Sequence, residues 1–198
     1  MTETRSMSDR RPLALMLAAL LVGYAILFRL MPFETRGWAL WPFGALALYC
    51  GARLSARTAL LLTLGVVALT DLLLYQWSHI MPNYVFYAIL GGTVLLGRGL
   101  LGKSFAWWRV GAGSIMSYAA FFLLSNFAAW LEPALPQYEP RSFATLMLAY
   151  RNGLDFLRYQ PAHLDCGLLL SFGVFGLHAY LAKVYFPAEQ FVVTKGTT

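Results

Sequence analysis

A carboxylate, a phenol and an imidazole recur at four-residue spacing near the end of an apolar run, in the stretch DLLLYQWSHIMPNYVFY. These residues are Asp71, Tyr75 and His79. Side chains four residues apart lie on one face of a helix, so the three groups could bind a polar ligand together. An ionisable group in so apolar a helix is costly and usually faces a cavity or a charged partner. Two alternatives follow for Asp71: a ligand site, or a structural ion pair with an arginine such as Arg158 or Arg29.

A second pair of polar and aromatic residues repeats this spacing on a later apolar segment. Asn126 and Trp130 could serve as inter-helix glue and as an interfacial anchor, or they could share a cavity with Asp71. We predict that they converge with Asp71 on one outward-opening cavity beneath the connection 132–164. The predicted ligand-binding residues are Asp71, Tyr75, His79, Asn83, Tyr84, Asn126, Trp130 and Arg158.

Motifs for covalent catalysis and for metal binding are missing from the sequence. It contains neither GxSxG nor HExxH, and His79, His163 and Asp165 lack a diagnostic ligand spacing. Cys50 and Cys166 fall in different apolar segments, a pattern typical of buried free thiols. We therefore expect a non-enzymatic protein with no cofactor and no bound metal.

Composition places the chain among integral membrane proteins. Of its 198 residues, 59% are hydrophobic and only 12% are charged, about half the charged fraction of a typical soluble domain. Six apolar segments are long enough, or nearly so, to cross a bilayer, which predicts an all-α, six-helix transmembrane domain over 12–186. The segments cover about 12–31, 38–52, 57–77, 84–102, 107–131 and 165–186.

Two of these segments have special features. The first follows a basic start and lacks a small-x-small cleavage site, so we expect a retained helix and not a signal peptide. It also carries a small-xxx-small step, Ala14 and Ala18, which permits close packing either inside the chain or against a partner. The second segment is short and contains Pro42, which is compatible with a broken or re-entrant start.

The distribution of Lys and Arg sets the expected orientation. With both termini in the cytoplasm, ten of the 15 basic residues lie on the inner side, as the positive-inside rule requires. The cytoplasmic tails are then 1–11 and 187–198, and the connection 132–164 lies outside. From Ser142 to Phe156 this connection has the apolar periodicity of a short amphipathic helix. Because the basic residues are dispersed, nucleic-acid binding is not expected.

Four stretches of the sequence resemble an uncharacterised bacterial family of six-helix membrane proteins. That family is in turn similar to the substrate-binding S components of energy-coupling-factor vitamin transporters. Ala39 departs from the family pattern, which has an asparagine there. The stretches are PFGALALYCGA (42–52), LTDLLL (69–74), PNYVFYAILGG (82–92) and SYAAFFLLSNFAAWL (117–131).

The resemblance implies a function for the chain and a set of partners. S components hold a small solute near the outer face, dock on a transmembrane scaffold subunit through small residues of the first helix, and leave ATP hydrolysis to partner ATPases. The matching docking residues would be Ala14 and Ala18, in the inner membrane of a bacterium. The alternative is an accessory or scaffold subunit of a larger respiratory or photosynthetic membrane complex, with no transport role.

Overall fold

The computed structural model describes residues 11–32, 41–79, 84–102, 105–159 and 162–190, with side chains throughout except at 156–159 and 162–166. This part of the chain forms seven α-helices, two short 3-10 turns (Pro136–Tyr138 and Pro187–Glu189) and no β-strand. The predicted all-α class is therefore confirmed. The helices are α1 (Pro12–Leu30), α2 (Pro42–Arg53), α3 (Ala56–Ser78), α4 (Tyr84–Leu101), α5 (Trp107–Leu131), α6 (Phe143–Tyr159) and α7 (Ala162–Val184).

Five of these helices, α1, α3, α4, α5 and α7, are long and apolar enough to cross a membrane. Each of the five also exposes large apolar side chains on the outside of the bundle. The protein is thus a multi-pass membrane protein whose surface contacts the lipid bilayer. Examples that are more than half exposed, one from each helix, are Leu20, Leu61, Leu95, Ile115 and Leu169.

The short helix α2 lies at the centre of the bundle. Eleven of its 12 residues are buried, and α1, α3, α4, α5 and α7 pack around it. Its length is about 18 Å at 1.5 Å per residue, against a hydrocarbon core about 30 Å thick. Because Pro42 suits the first helical turn and lacks an N–H to satisfy, the helix begins sharply there. The predicted segment 38–52 therefore contributes a helix that covers only part of the membrane thickness.

Glycine permits α2 and α4 to touch through their backbones. A Cβ atom on Gly51 would overlap the carbonyl oxygen of Val94, and one on Gly97 would overlap the carbonyl oxygen of Leu48. Close backbone approach of this kind is how small residues stabilise helix pairs in membranes. The position of a glycine in the sequence does not indicate which helix it will meet, so this contact was not predicted.

The beginning of α1 and the end of α7 meet at one end of the bundle. The Glu189 carboxylate accepts hydrogen bonds from the backbone N–H groups of Leu13 (2.9 Å) and Ala14 (3.1 Å), which would otherwise lack partners at a helix start. Arg53, the last residue of α2, donates to the Glu189 carbonyl (2.7 Å). The predicted tail 187–198 thus begins with a turn that belongs to the fold.

Two further side chains extend this polar cluster into the core. His178 Nε2 lies 3.1 Å from the Glu189 carbonyl oxygen, and His178 Nδ1 lies 2.7 Å from the Tyr49 hydroxyl. A carbonyl can only accept, so Nε2 carries a proton, and in the neutral ring Nδ1 accepts from Tyr49. The cluster therefore joins α1, α2, α7 and the final turn through buried polar groups.

The connection after α5 contains the predicted amphipathic helix. It is α6, Phe143–Tyr159, against a predicted extent of Ser142 to Phe156. Ser142 and Thr145 exchange bonds at its start, with the Ser142 N–H donating to Thr145 Oγ1 (3.0 Å) and the Thr145 N–H donating to Ser142 Oγ (3.3 Å). This reciprocal arrangement satisfies helix N–H groups in the manner of a capping box.

The close contact of α2 with α4 predicts the effect of one methyl group. Gly97→Ala should lower the stability by about 1–3 kcal/mol, the usual effect of overpacking, because the methyl group would push two backbones apart. Gly99→Ala is the matched control, since a Cβ there meets no atom within 4 Å and alanine is the better helix former. Thermal unfolding of the detergent-solubilised variants measures both effects. Equal midpoints for the two variants would contradict the contact.

Candidate functional site

Asp71 is buried in the bundle, with 4% of its surface exposed. Its Oδ1 atom accepts a hydrogen bond from Arg29 of α1, with which it forms an ion pair, and its Oδ2 atom accepts from the Tyr87 hydroxyl of α4 at 2.7 Å. The carboxylate on α3 is thus neutralised by one neighbouring helix and hydrogen-bonded by another. Of the two arginines named as possible partners of Asp71, Arg29 forms the ion pair in the structure.

Aromatic rings surround the arginine of this pair. The Arg29 guanidinium carbon lies 5.9 Å from the ring centroid of Phe43 and 5.7 Å from that of Phe86, within the range of cation–π attraction. Trp41, just before α2, contacts both of these rings and also Phe121 of α5, with centroids 5.6–6.2 Å apart. We call Arg29, Asp71, Tyr87 and these four aromatic residues the ion-pair cluster.

The chemistry available to the ion-pair cluster is electrostatic. Both oxygens of Asp71 accept from protein donors, which fixes the carboxylate between α1 and α4. Among the described residues, no three His, Cys, Asp or Glu side chains are grouped to hold a metal ion. The cluster combines a balanced pair of charges with apolar ring faces, which suits noncovalent binding or helix pairing.

The other predicted residues of α3 and α4 lie outside this cluster. Tyr75 and Tyr84 are 45% and 79% exposed, and the Tyr75 ring packs edge-on against His79, with centroids 6.0 Å apart. His79 follows the last residue of α3 in a left-handed conformation, φ 52°, so the regular helical face ends before it. Asn83 lies outside the described residues.

Asn126 and Trp130 face α6. Trp130 Nε1 donates to Thr145 Oγ1 at 3.1 Å, and Asn126 Nδ2 donates to the Phe122 carbonyl of its own helix at 2.8 Å. A Cβ on Gly153 of α6 would overlap the Asn126 amide. These contacts attach α6 to α5, whereas those of Asp71 attach α3 to α1 and α4. A cavity shared by the two sets remains a prediction, as does a role for Arg158, whose side chain lies outside the described residues.

Ala14 and Ala18 have a different location from the one the docking hypothesis requires. Both are fully buried within the chain. They belong to the internal stripe of α1, which recurs at three- and four-residue steps and includes Leu17, Leu21 and Phe28. The small side chains therefore serve packing inside the bundle in this structure, and they present no surface to a partner.

A stretch at the end of α4 matches a phosphate-binding sequence pattern. Residues 97–104 read GRGLLGKS, which fits the GxxxxGK[ST] pattern of phosphate-binding loops. A phosphate-binding loop joins a strand to the start of a helix, but residues 97–101 form the last turn of the membrane helix α4. The Gly102 N–H donates to the Arg98 carbonyl as this helix ends. The described part of the match, residues 97–102, is therefore the end of a membrane helix and not a loop between a strand and a helix.

Sequence reasoning missed most of the ion-pair cluster. Tyr87 could have been found from the short connection between α3 and α4, because an antiparallel pair places residues on either side of the turn opposite each other. Arg29, the basic residue in the last turn of α1, was one of the two arginines that the sequence analysis named as a possible partner of Asp71. The aromatic neighbours Trp41 and Phe121 had no such signal, because apolar rings are frequent throughout the chain.

Comparison with known proteins identifies a family for the chain. A family of unknown function, DUF6580, matches residues 9–189. No curated protein and no solved structure matches the chain.

The paired charges predict non-additive effects of mutation. Asp71→Asn or Arg29→Gln should each lower stability, by about 3–5 kcal/mol, because each removes one partner of a largely buried ion pair. The double variant should recover much of that loss. Tyr87→Phe, which removes only a hydrogen bond to a charged group, should cost about 1.5–3 kcal/mol. Thermal unfolding of all four proteins measures the coupling, and strictly additive losses would show that the pair is not energetically linked.

Proposed function

The chain belongs to the DUF6580 family of unknown function, and we propose that it is a non-enzymatic membrane protein that binds a small, vitamin-like solute for uptake. In this proposal it crosses the membrane six times and is similar to S components. It binds the solute at its outer face and works with energy-coupling partners, a transmembrane scaffold subunit and ATPases.

The observation that carries the proposal is the position at which α2 begins. Its other end, at Arg53, reaches the end of the bundle that holds Glu189, and its length is about 18 Å. Pro42 therefore starts about 12 Å short of the opposite side of a core about 30 Å thick, beside Arg29, Trp41 and Phe86. Helices that start within the membrane, next to charged groups, are typical of solute sites in transporters.

Six crossings with both termini in the cytoplasm fit this arrangement. The start of α1 and the end of α7 contact each other through Glu189, so the chain crosses an even number of times. The five long helices and the short helix α2 together account for six crossings. The excess of basic residues at that end favours the cytoplasmic side, in a bacterial inner membrane.

Partner binding would use surfaces other than Ala14 and Ala18. The outward side of α1 carries Leu15, Met16, Leu20 and Leu27, all exposed. A scaffold subunit would meet these larger side chains. Ring stacking of the solute on the ion-pair cluster, near Trp41, is the proposed binding mode.

The alternative is an accessory or scaffold subunit of a larger membrane complex. The observation that favours it is the exposure of α5, of whose most apolar 18 residues only 6% are buried. Its first turn carries Trp107 and Trp108, 47% and 68% exposed. A helix this exposed offers a long surface to lipid or to another subunit.

Purification of the intact protein from native membranes tests the two functions. We expect a stoichiometric small molecule, identified by mass spectrometry, together with a scaffold subunit and ATPases. Trp41→Leu should reduce the bound solute per folded molecule at least about tenfold, the loss of roughly 1.4 kcal/mol of binding energy, because a stacking ring is removed. Trp108→Leu, at the other end of the bundle, is the control and should retain it. Stable association with an energy-converting complex, without solute, would support the alternative.

Topology is tested by labelling single cysteines in a background that lacks Cys50 and Cys166. Gln137 lies in the connection after α5 and Arg57 at the start of α3, and both are exposed. A membrane-impermeant maleimide added to intact cells should label Gln137→Cys, and label Arg57→Cys only after the cells are opened. Labelling of both residues from outside would refute the six-crossing arrangement.

A further inference from the structure

The helix α6 packs mainly against α5 and leaves a second apolar face uncovered. Phe143, Met147 and Leu154 are 76%, 41% and 51% exposed. At about 100° per residue these three positions fall within an arc of about 40°. Thr145 and Ala149 lie on the other side, where Thr145 bonds Trp130 and Ala149 is buried. The exposed face is therefore a continuous apolar stripe.

Both ends of α6 are held at the same membrane surface. Its first turn is bonded to Trp130, in the last turn of α5, where that membrane helix ends. Its last residue, Tyr159, is separated from the start of α7 by residues 160–161 only. A helix of 17 residues whose two ends meet the ends of two membrane helices runs along the surface.

Side-chain contacts show how far along α5 the helix α6 packs. The Tyr150 hydroxyl donates to the Leu123 carbonyl of α5 at 3.2 Å, and its ring lies 5.9 Å from that of Phe122. Leu123 is eight residues before the end of α5, or about 12 Å along its axis. The contacts of α6 thus reach about 12 Å along α5 from the end of that helix.

We propose that the stripe formed by Phe143, Met147 and Leu154 is a lipid-binding face, which inserts α6 into the outer interface of the bilayer. The occupant is lipid because α6 packs on α5, a helix long and apolar enough to cross the membrane, whose residues Phe127 and Leu131 are themselves exposed. Arg151 is exposed beside the stripe and can reach the phosphate level with its charged end. This role is independent of solute binding.

Spin labels measure the depth of the stripe directly. Met147→Cys and Leu154→Cys, labelled in the cysteine-free background and reconstituted in phosphatidylcholine nanodiscs, are compared for collision with oxygen and with a nickel chelate. We expect both labels to lie about 5–10 Å below the phosphates, the depth of interfacial helices. Ile115→Cys on α5 is the hydrocarbon reference and Gln137→Cys the aqueous reference.

Two results would overturn the inference. Oxygen and nickel collision rates at Met147 and Leu154 that match those at Gln137 would place the stripe in water. An oxygen collision rate below that at Ile115, together with a nickel collision rate below that at Gln137, would mean that protein covers the stripe. That protein would be either another part of this chain or a second copy. All the labelled positions are exposed, so unfolding of the variants is not expected to obscure the measurement.

Discussion

The contact between α2 and α4 is the constraint on which the rest of the structure depends. Gly51 and Gly97 let the two backbones meet, and this removes α2 from lipid altogether. A helix with 11 of 12 residues buried needs neighbours on every side, and α1, α3, α5 and α7 supply them. The membrane helices are therefore arranged around α2. Their sides that do not contact α2 can face the bilayer.

Charged residues mark the two ends of this central helix in different ways. At the end of α2, Arg53 is joined to Glu189 through a backbone carbonyl, in a cluster built mainly from side-chain-to-backbone bonds. Near its start, Arg29 and Asp71 form a direct pair between side chains of α1 and α3. The first cluster joins the start of α1 to the turn after α7, whereas the second joins the sides of α1, α3 and α4 next to aromatic rings. In the second cluster the arginine of the ion pair also lies against two aromatic rings, those of Phe43 and Phe86.

Much of the secondary structure was predictable, whereas few of the contacts were. The helices α3, α4 and α5 agree with their predicted segments to within one residue at each end, because long apolar runs define membrane helices. The common face predicted for Asp71 and Tyr75 did not indicate that one would be buried and the other exposed. Burial depends on which helix is adjacent, and periodicity does not contain that information. Glu189 shows the same limit, because a carboxylate beyond the last apolar segment has the sequence pattern of a solvated tail.

The bond between Glu189 and the start of α1 has a consequence for the order of assembly. The helix α1 is synthesised before α7, and the carboxylate that completes its first turn lies 175 residues after Ala14, which it contacts. During translation the Leu13 and Ala14 N–H groups must therefore be satisfied by water or lipid headgroups. The start of α1 is therefore completed only after α7 and the turn that follows it have been made.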